Sequence, residues 1–102
     1  MDKVIAERRL FYSEKGSDVR HEFKIRIGMP YPITSWNGAP VDGNFFGCRV
    51  EFEGLDEPSR EAYGGDSLQA VQLASNIDPY LKILQKKYDL YYDNDDLWEP
   101  IV

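Results

Sequence analysis

Two segments of the chain alternate apolar and polar residues with a period of two. In the segment 19–27, one face carries Val19, His21, Phe23, Ile25 and Ile27, and the other carries Arg20, Glu22, Lys24 and Arg26. In the segment 46–53, one face carries Phe46, Cys48, Val50 and Phe52, and the other carries Arg49, Glu51 and Glu53. Successive side chains of a strand point to opposite faces, so this alternation predicts two strands, each buried on one side and wet on the other.

Two further segments complete the predicted sheet. Residues 3–13 are strand-like but less regular, and the turn-forming segment 14–18 joins them to the first alternating segment as a hairpin. A second turn, 54–59, contains Pro58 and leads into a short fourth strand at 60–63. The pattern therefore predicts a four-stranded, meander-like antiparallel sheet whose apolar face needs a covering layer.

That covering layer is predicted from Asp66 onward. Asp66 can cap the first turn of a helix, and Gln69 follows three residues later, as in a capping box. Apolar residues then recur at helical spacing, at Leu68, Ala70, Val71, Leu73, Ala74, Ile77, Leu81, Leu84 and Tyr88. Pro79 lacks the N–H that a helix interior needs, so the helix either kinks there or stops near Asn76 and restarts with Asp78 as its cap.

The predicted fold class is therefore α+β, with one long C-terminal helix that is kinked or split near Pro79. A chain of 102 residues has the size of one domain, so residues 1–102 are assigned to a single unit. Two stretches have no regular pattern. Residues 28–44 form a long loop, rich in proline and glycine, that displays Tyr31 and Trp36. The acidic-aromatic tail, 89–102, holds too many large apolar residues for a disordered segment, and we expect it to fold back on the sheet or on the helix, with an edge strand as one form.

Four short motifs resemble those of a known family. They are Ile5-Ala6-Glu7-Arg8, Arg26-Ile27-Gly28, the run from Ala62 to Ala70 (AYGGDSLQA), and the run from Asp95 to Pro100 (DDLWEP). Together they are similar to a family of small bacterial proteins of unknown function. The resemblance implies strands followed by a helix, and a bacterial source. Pro79, inside the helix, departs from the family's pattern, and the family supplies no catalytic residues to assign.

Charge is distributed unevenly along the chain. The net charge is −6, with +2 on residues 1–28 and −8 on residues 51–102. An acidic surface repels phosphate backbones, so we expect no nucleic-acid partner. Solubility is the favoured explanation of the acids, and attraction to a basic protein partner is the alternative. One cysteine excludes an internal disulfide, and no apolar run approaches the roughly 20 residues that span a bilayer. These features predict a cytoplasmic protein without a membrane partner.

The residues that carry chemistry are few. Cys48 and His21 both lie on predicted apolar strand faces, where a catalytic dyad is possible, but a small core cysteine and a histidine at the rim or in the core are favoured. Two such side chains are too few for a zinc site, and the acids of the tail lack the spacing of a calcium loop. Gly64-Gly65 precedes a helix and is interpreted as a tight turn rather than an anion site. The sequence therefore predicts no enzyme activity and no cofactor.

The remaining prediction is a protein-binding function. Small size, acidity and loop aromatics favour a bacterial immunity or antitoxin protein that occludes the active site of a basic toxin. The predicted partner-binding residues are Tyr31, Trp36, Asp93, Asp95, Asp96, Trp98 and Glu99. The aromatics have an alternative role as core cover. Two alternative functions also stay open: an interaction domain that dimerises through a sheet edge, and a small-ligand binder that uses the long loop.

Overall fold

A computed structural model describes residues 3–42 and 44–99. The strands are β1 Val4–Glu14, β2 His21–Gly28, β3 Tyr31–Pro32, β4 Ser35–Trp36, β5 Ala39–Pro40, β6 Phe46–Glu53, β7 Arg60–Gly64 and β8 Tyr88–Tyr91. The helices are α1 Ser67–Ser75 and α2 Asp78–Leu84. The sheet-dominated chain with C-terminal helices confirms the predicted α+β class.

The main sheet has six antiparallel strands, so the prediction of four is wrong in number. The four predicted strands are present as β1, β2, β6 and β7, and each pairs with the next in meander order. β8 adds a strand on the other side of β1. β3 pairs with Phe46 and Gly47, on the edge of β6 where β2 also pairs. Across the sheet, the strand order is thus β8, β1, β2, β6 and β7, and β3 lies beside β6 on the same side as β2.

One face of this sheet and the two helices enclose the core. The buried strand residues include Leu10, Phe23, Ile25, Ile27, Cys48 and Val50. The alternation within β2 and β6 directs these side chains toward the helices, as the period of two predicts. Complete burial of one such large apolar side chain contributes about 1.5–3 kcal/mol. The opposite face, called the outer face below, has no helix of the described residues packed on it.

The predicted long helix is two short ones. α1 ends at Ser75, and α2 begins at Asp78 with Pro79 in its first turn. In the first turn of a helix no hydrogen bond requires the N–H that proline lacks, and no preceding turn meets its ring. In a continuous helix the ring would clash with the carbonyl of Ser75. The predicted split is confirmed, but Ile77 stands at the cap position in place of Asp78.

The predicted cap of the first helix is present. The backbone N–H of Gln69 donates to Oδ1 of Asp66 at 2.7 Å. The side chain of Gln69 accepts in return from the N–H of Gly65 at 2.5 Å, one residue earlier than in the usual box. Two N–H groups at the helix start are thereby satisfied.

Small residues, not leucines, face the sheet from α1. Ala70 and Ala74 are fully buried, whereas Leu68 is 66% exposed and Leu73 is 48% exposed. The reason is close contact: a Cβ on Gly64 of β7 would lie 2.5 Å from the backbone nitrogen of Ala70. At that separation no leucine fits between strand and helix. The helical spacing of Leu68 and Leu73 therefore does not mark the face of α1 that packs on the sheet.

The described residues of the segment 28–44 contain more regular structure than predicted. β4 and β5 form a hairpin whose turn residues, Asn37 and Gly38, have φ values of 52° and 81°. Positive φ at both central residues matches a type I′ turn, for which Asn-Gly is the preferred pair. The tail also behaves as an element: β8 pairs with Phe11–Glu14 of β1, as an edge strand. Residues 100–102 of the predicted tail lie outside the described residues.

Candidate protein-binding surface

Exposed aromatic side chains collect on the outer face. Tyr31 of β3 and Tyr63 of β7 are both direct cross-strand partners of Gly47 in β6. Directly opposed residues of an antiparallel pair point to the same face, so both tyrosines lie on this side of the sheet. Tyr31 is 39% exposed, Tyr63 is 43% exposed and Trp36 is 44% exposed.

The β4–β5 hairpin brings Trp36 to this group. The indole centroid lies 5.0 Å from the ring of Tyr63 at an interplanar angle of 86°. The ring of Phe45, which is half-buried, lies 5.5 Å from the ring of Trp36 at an interplanar angle of 72°. Perpendicular contacts of this kind contribute about 0.5–1.5 kcal/mol per pair. Tyr31, Trp36, Phe45 and Tyr63 are called the aromatic patch below.

A hydrogen-bonded group fixes one end of the patch. The hydroxyl of Tyr31 donates to Oε2 of Glu61, and Arg49 donates to Oε1 of the same carboxylate from Nε at 3.2 Å and Nη2 at 3.1 Å. Partial burial, followed by the hydrogen bond and the charge of Glu61, raises the pKa of Tyr31 to about 12. The hydrogen bond to Glu61 likewise raises the pKa of Arg49. Tyr31 is therefore a neutral hydrogen-bond donor at physiological pH.

The backbone under Tyr31 has no side chain. A Cβ on Gly47 would lie 2.7 Å from both Cζ and the hydroxyl oxygen of Tyr31. Such a contact is too short for any real Cβ, so glycine allows the phenol to lie flat across β6 and reach Glu61 on the neighbouring strand. The ring is held by contact from below and by a hydrogen bond at its tip.

The acidic tail contacts basic residues of its own chain. Oδ2 of Asp93 lies 3.6 Å from Nη2 of Arg9, and Arg20 forms an ion pair with Asp95. The guanidinium of Arg20 also stacks on the ring of Tyr91, 3.8 Å from its centroid. Because these acids already face cations, their attraction for an external basic protein is reduced.

The other predicted tail residues divide into exposed and buried ones. Asp96 and Glu99 are exposed, and Asp96 accepts a hydrogen bond from Asn94 at 3.1 Å. Trp98 is only 2% exposed and belongs to the core. The backbone N–H of Trp98 donates to the carbonyl of Leu90 at 2.8 Å, and the backbone carbonyl of Trp98 accepts from Nε2 of Gln85 at 3.0 Å. Trp98 is core cover, the alternative role foreseen for the tail aromatics, and it is not available to a partner in this structure.

The structure separates the predicted site residues into two groups. The tail adjoins β8 at one edge of the sheet, and the aromatic patch adjoins β6 and β7 at the other. Four strand spacings lie between β8 and β7, which is about 19 Å. A small contact cannot include both groups.

The structure does not form the Cys48–His21 dyad. Cys48 is fully buried, and its thiol donates to the carbonyl of Gly28 at 3.2 Å. Burial, and next the charge of Glu61, raises the pKa of the thiol. His21 lies on the same face of β2 as Phe23, opposite Tyr12, and is exposed at the start of the strand, so it is a rim residue; its ring centroid lies 5.1 Å from that of Tyr12. Ile27 pairs with Val50, so by the same register Cys48 lies opposite Met29, eight residues from His21, which places the imidazole about 26 Å along the sheet from the thiol.

Other site types are not found in the part of the chain that the structure describes. Within residues 3–42 and 44–99, no cluster of three or more His, Cys, Asp or Glu side chains could hold a metal ion. No helix within the same ranges has the length and apolarity needed to cross a bilayer. The prediction that the protein is not an enzyme stays a prediction.

Comparisons of the chain with protein-family models, with curated proteins and with solved structures give no match. The resemblance to small bacterial proteins therefore remains an expectation from the four motifs. The function is argued below from the geometry of the surface.

Sequence reasoning missed part of the aromatic patch. Phe45 and Tyr63 were not among the predicted site residues, and the hairpin that carries Trp36 was assigned to a loop. The pair Asn37-Gly38 between two short extended segments is a local signal that could have predicted this hairpin. No local signal shows that Tyr31 and Tyr63 meet over Gly47, because those contacts join distant parts of the chain.

Proposed function

We propose that the chain is a protein-binding module whose contact surface is the aromatic patch. The observation that carries this proposal is the exposure of three large aromatic side chains, Tyr31, Trp36 and Tyr63, whose positions their own intramolecular contacts fix. Tyrosine and tryptophan dominate interface hot spots because they bury much area at a small cost in conformational entropy. Side chains already fixed in the free protein lose less entropy on binding.

The narrower proposal is that the partner is a bacterial toxin. The chain would act in the cytoplasm as an immunity or antitoxin protein that neutralises the toxin by covering its active site. The net charge of −6 supports this, since toxins that act on nucleic acid have basic active sites. Among the described residues, no lysine or arginine pairs with Asp96 or Glu99. A toxin that covered both the patch and these acids would have to span about 19 Å of the sheet.

The binding proposal is tested by capture and calorimetry. A tagged protein is used to capture the product of the neighbouring gene, and the affinity is measured by isothermal titration. We expect Trp36→Ala and Tyr63→Ala each to weaken binding by about 30-fold, the effect of removing a hot-spot residue.

The matched control is Tyr92→Ala. Tyr92 is as exposed as Tyr31 but lies on the tail, outside the aromatic patch. An unchanged affinity in Tyr92→Ala and a loss in Trp36→Ala would support the patch. Equal affinity in all three variants, with a complex still formed by the wild-type chain, would show that another surface binds.

The toxin proposal has a separate test. Co-expression of the neighbouring gene with this chain should restore growth of cells that the neighbouring product alone kills, and Trp36→Ala should restore less. A captured partner that is harmless when expressed alone would rule out the antitoxin role and leave the binding role intact.

A further inference from the structure

Part of the β1 edge has no neighbouring strand among the described residues. β8 covers only Phe11–Glu14, so the stretch 4–10 borders β2 on one side and nothing described on the other. Val4 and Ile5 in this stretch are exposed. Main-chain groups at such an edge are available for pairing with another strand.

The hydrogen bonds of the tail show which groups point outward. The carbonyl of Leu90 accepts from Trp98, so the main-chain groups of Leu90 point away from β1. The main-chain N–H and C=O of the next residue, Tyr91, therefore point toward β1. Those of Phe11, the partner of Tyr91 in β1, point toward β8. By alternation along β1, the N–H and C=O of Glu7 and Arg9 face out of the free edge. They offer four hydrogen-bonding groups to an added strand.

A groove adjoins this edge on the side of the helices. Its volume is about 130 Å³, and its lining is Ala6, Glu7, Arg8, Ile25, Ile27, Ser75 and Ile77. Ile25 and Ile27 form a buried apolar floor, and Ile77 lies where α1 and α2 separate. Since one water occupies about 30 Å³ of liquid, the groove has room for about one branched aliphatic side chain.

Arg8 supplies an unneutralised charge at the groove. On the outer face, Glu7 pairs with Arg26 and Arg9 lies 3.6 Å from Glu22. Arg8, on the groove side, forms no ion pair with any acid of the described residues. The groove therefore favours an acidic group beside the aliphatic one.

A second copy of the chain fits this edge poorly. When two β1 edges pair about a two-fold axis, residues that oppose each other point to the same face. The two residue numbers of every opposed pair therefore add up to the same even number. The register centred on Glu7 opposes Glu7 to itself, and that centred on Arg8 opposes Arg8 to itself. Like charges directly opposed across strands are destabilising, so both of these registers are penalised. Registers centred nearer the start of β1 pair residues across the bulge between Val4 and Ala6, which interrupts the regular alternation of the edge.

We propose that the free edge of β1 binds an extended peptide of another protein as an added antiparallel strand. The peptide places an aliphatic side chain opposite Ala6, in the groove, and an acidic side chain two positions earlier, opposite Arg8. Main-chain hydrogen bonds to Glu7 and Arg9 supply the rest of the binding, as in other cases of strand addition. This surface is distinct from the aromatic patch, so either proposal can fail alone.

The test is a titration of the ¹⁵N-labelled full chain, followed by amide chemical shifts. The probe is a five-residue peptide, threonine-aspartate-threonine-leucine-threonine, acetylated and amidated at its ends. We expect saturable shifts of the Glu7 and Arg9 amides, and at least a tenfold weaker response when lysine replaces the aspartate. In Arg8→Glu the preference should reverse, so that the lysine peptide binds more tightly. Lys86→Glu is a charge reversal on the exposed surface after α2, and it should leave the preference for the aspartate peptide unchanged.

Any one of the following results would overturn the proposal. They are no shift of Glu7 or Arg9 at millimolar peptide, shifts confined to the aromatic patch, the same response to both peptides, or the same preference in Arg8→Glu. Concentration-dependent shifts of these amides without peptide would also overturn it, in favour of self-association. Replacing Ala6, which is exposed, by leucine fills the groove and should abolish the response to the aspartate peptide without unfolding the chain.

Discussion

The phenol of Tyr31 crosses the backbone of Gly47 and donates its hydrogen bond to Glu61, thirty positions later in the chain. The contact joins β3 to β7 over β6, so one side chain ties three strands together on the outer face. It also holds the phenol of Tyr31 by two contacts while the side chain stays exposed, which is the property that a binding anchor needs.

Gly47→Ala tests the close contact under Tyr31. The new Cβ would lie 2.7 Å from the phenol, and the ring must leave its position and lose Glu61. We expect a loss of about 1–3 kcal/mol in the free energy of unfolding, measured by urea denaturation. In a Tyr31→Ala background the same substitution should cost much less, because the clashing ring is gone. A cost that is equal in both backgrounds would contradict the contact.

Raising the pH tests the hydrogen bond of Tyr31. Folding raises its pKa from 10.0 to about 12, so the neutral phenol is favoured in the folded state. The stabilisation is complete below pH 10 and is lost as the pH rises from 10 to about 12. Absorbance near 295 nm should show one tyrosine that ionises late in this range, and Glu61→Gln should lower its pKa. Ionisation of Tyr31 at its ordinary pKa in the wild-type chain would refute the interaction.

The two tryptophans should differ in their contribution to stability. Trp98→Ala leaves a cavity in the core and should cost about 3–5 kcal/mol, whereas Trp36→Ala, at an exposed position, should cost about 1 kcal/mol or less. Chemical denaturation of the two variants, followed by far-UV circular dichroism, gives the comparison directly. If Trp98→Ala proved as stable as Trp36→Ala, the tail would not close the core as described.

Adjacent glycines provide a matched pair at the start of α1. A Cβ on Gly64 would meet the backbone nitrogen of Ala70 at 2.5 Å, and neither backbone can move without separating strand from helix. A Cβ on Gly65 would meet only the end of the Gln69 side chain, at 3.3 Å. Gly64→Ala should therefore cost about 3 kcal/mol, and Gly65→Ala less than about 1 kcal/mol, in thermal or urea unfolding. The opposite ranking would contradict the close helix packing.

Cys48 should be inert in the folded chain. Its thiol is buried and donates to Gly28, and burial raises its pKa, which lowers the fraction of reactive thiolate. Reaction with a disulfide reagent should proceed only through unfolding, so its rate should rise with urea in parallel with the unfolded fraction. Fast reaction in native buffer would place the thiol at the surface.

The sequence by itself determined the elements whose signals are local. Alternation with a period of two located β2 and β6, Asp66 and Gln69 marked the start of α1, and Pro79 indicated a kink or a break in the helix. Each of these follows from the stereochemistry of a few neighbouring residues, which the linear chain contains in full.

Only the tertiary structure decided which apolar residues are buried and which are displayed. Leu68 follows the helical pattern and is exposed, because Gly64 and Ala70 bring strand and helix into contact. Trp98 is buried and Trp36 is exposed, although both stand in irregular, polar surroundings in the sequence. Burial depends on partners far away in the chain, and the aromatic patch exists because β3, β4 and β7 meet around one glycine of β6.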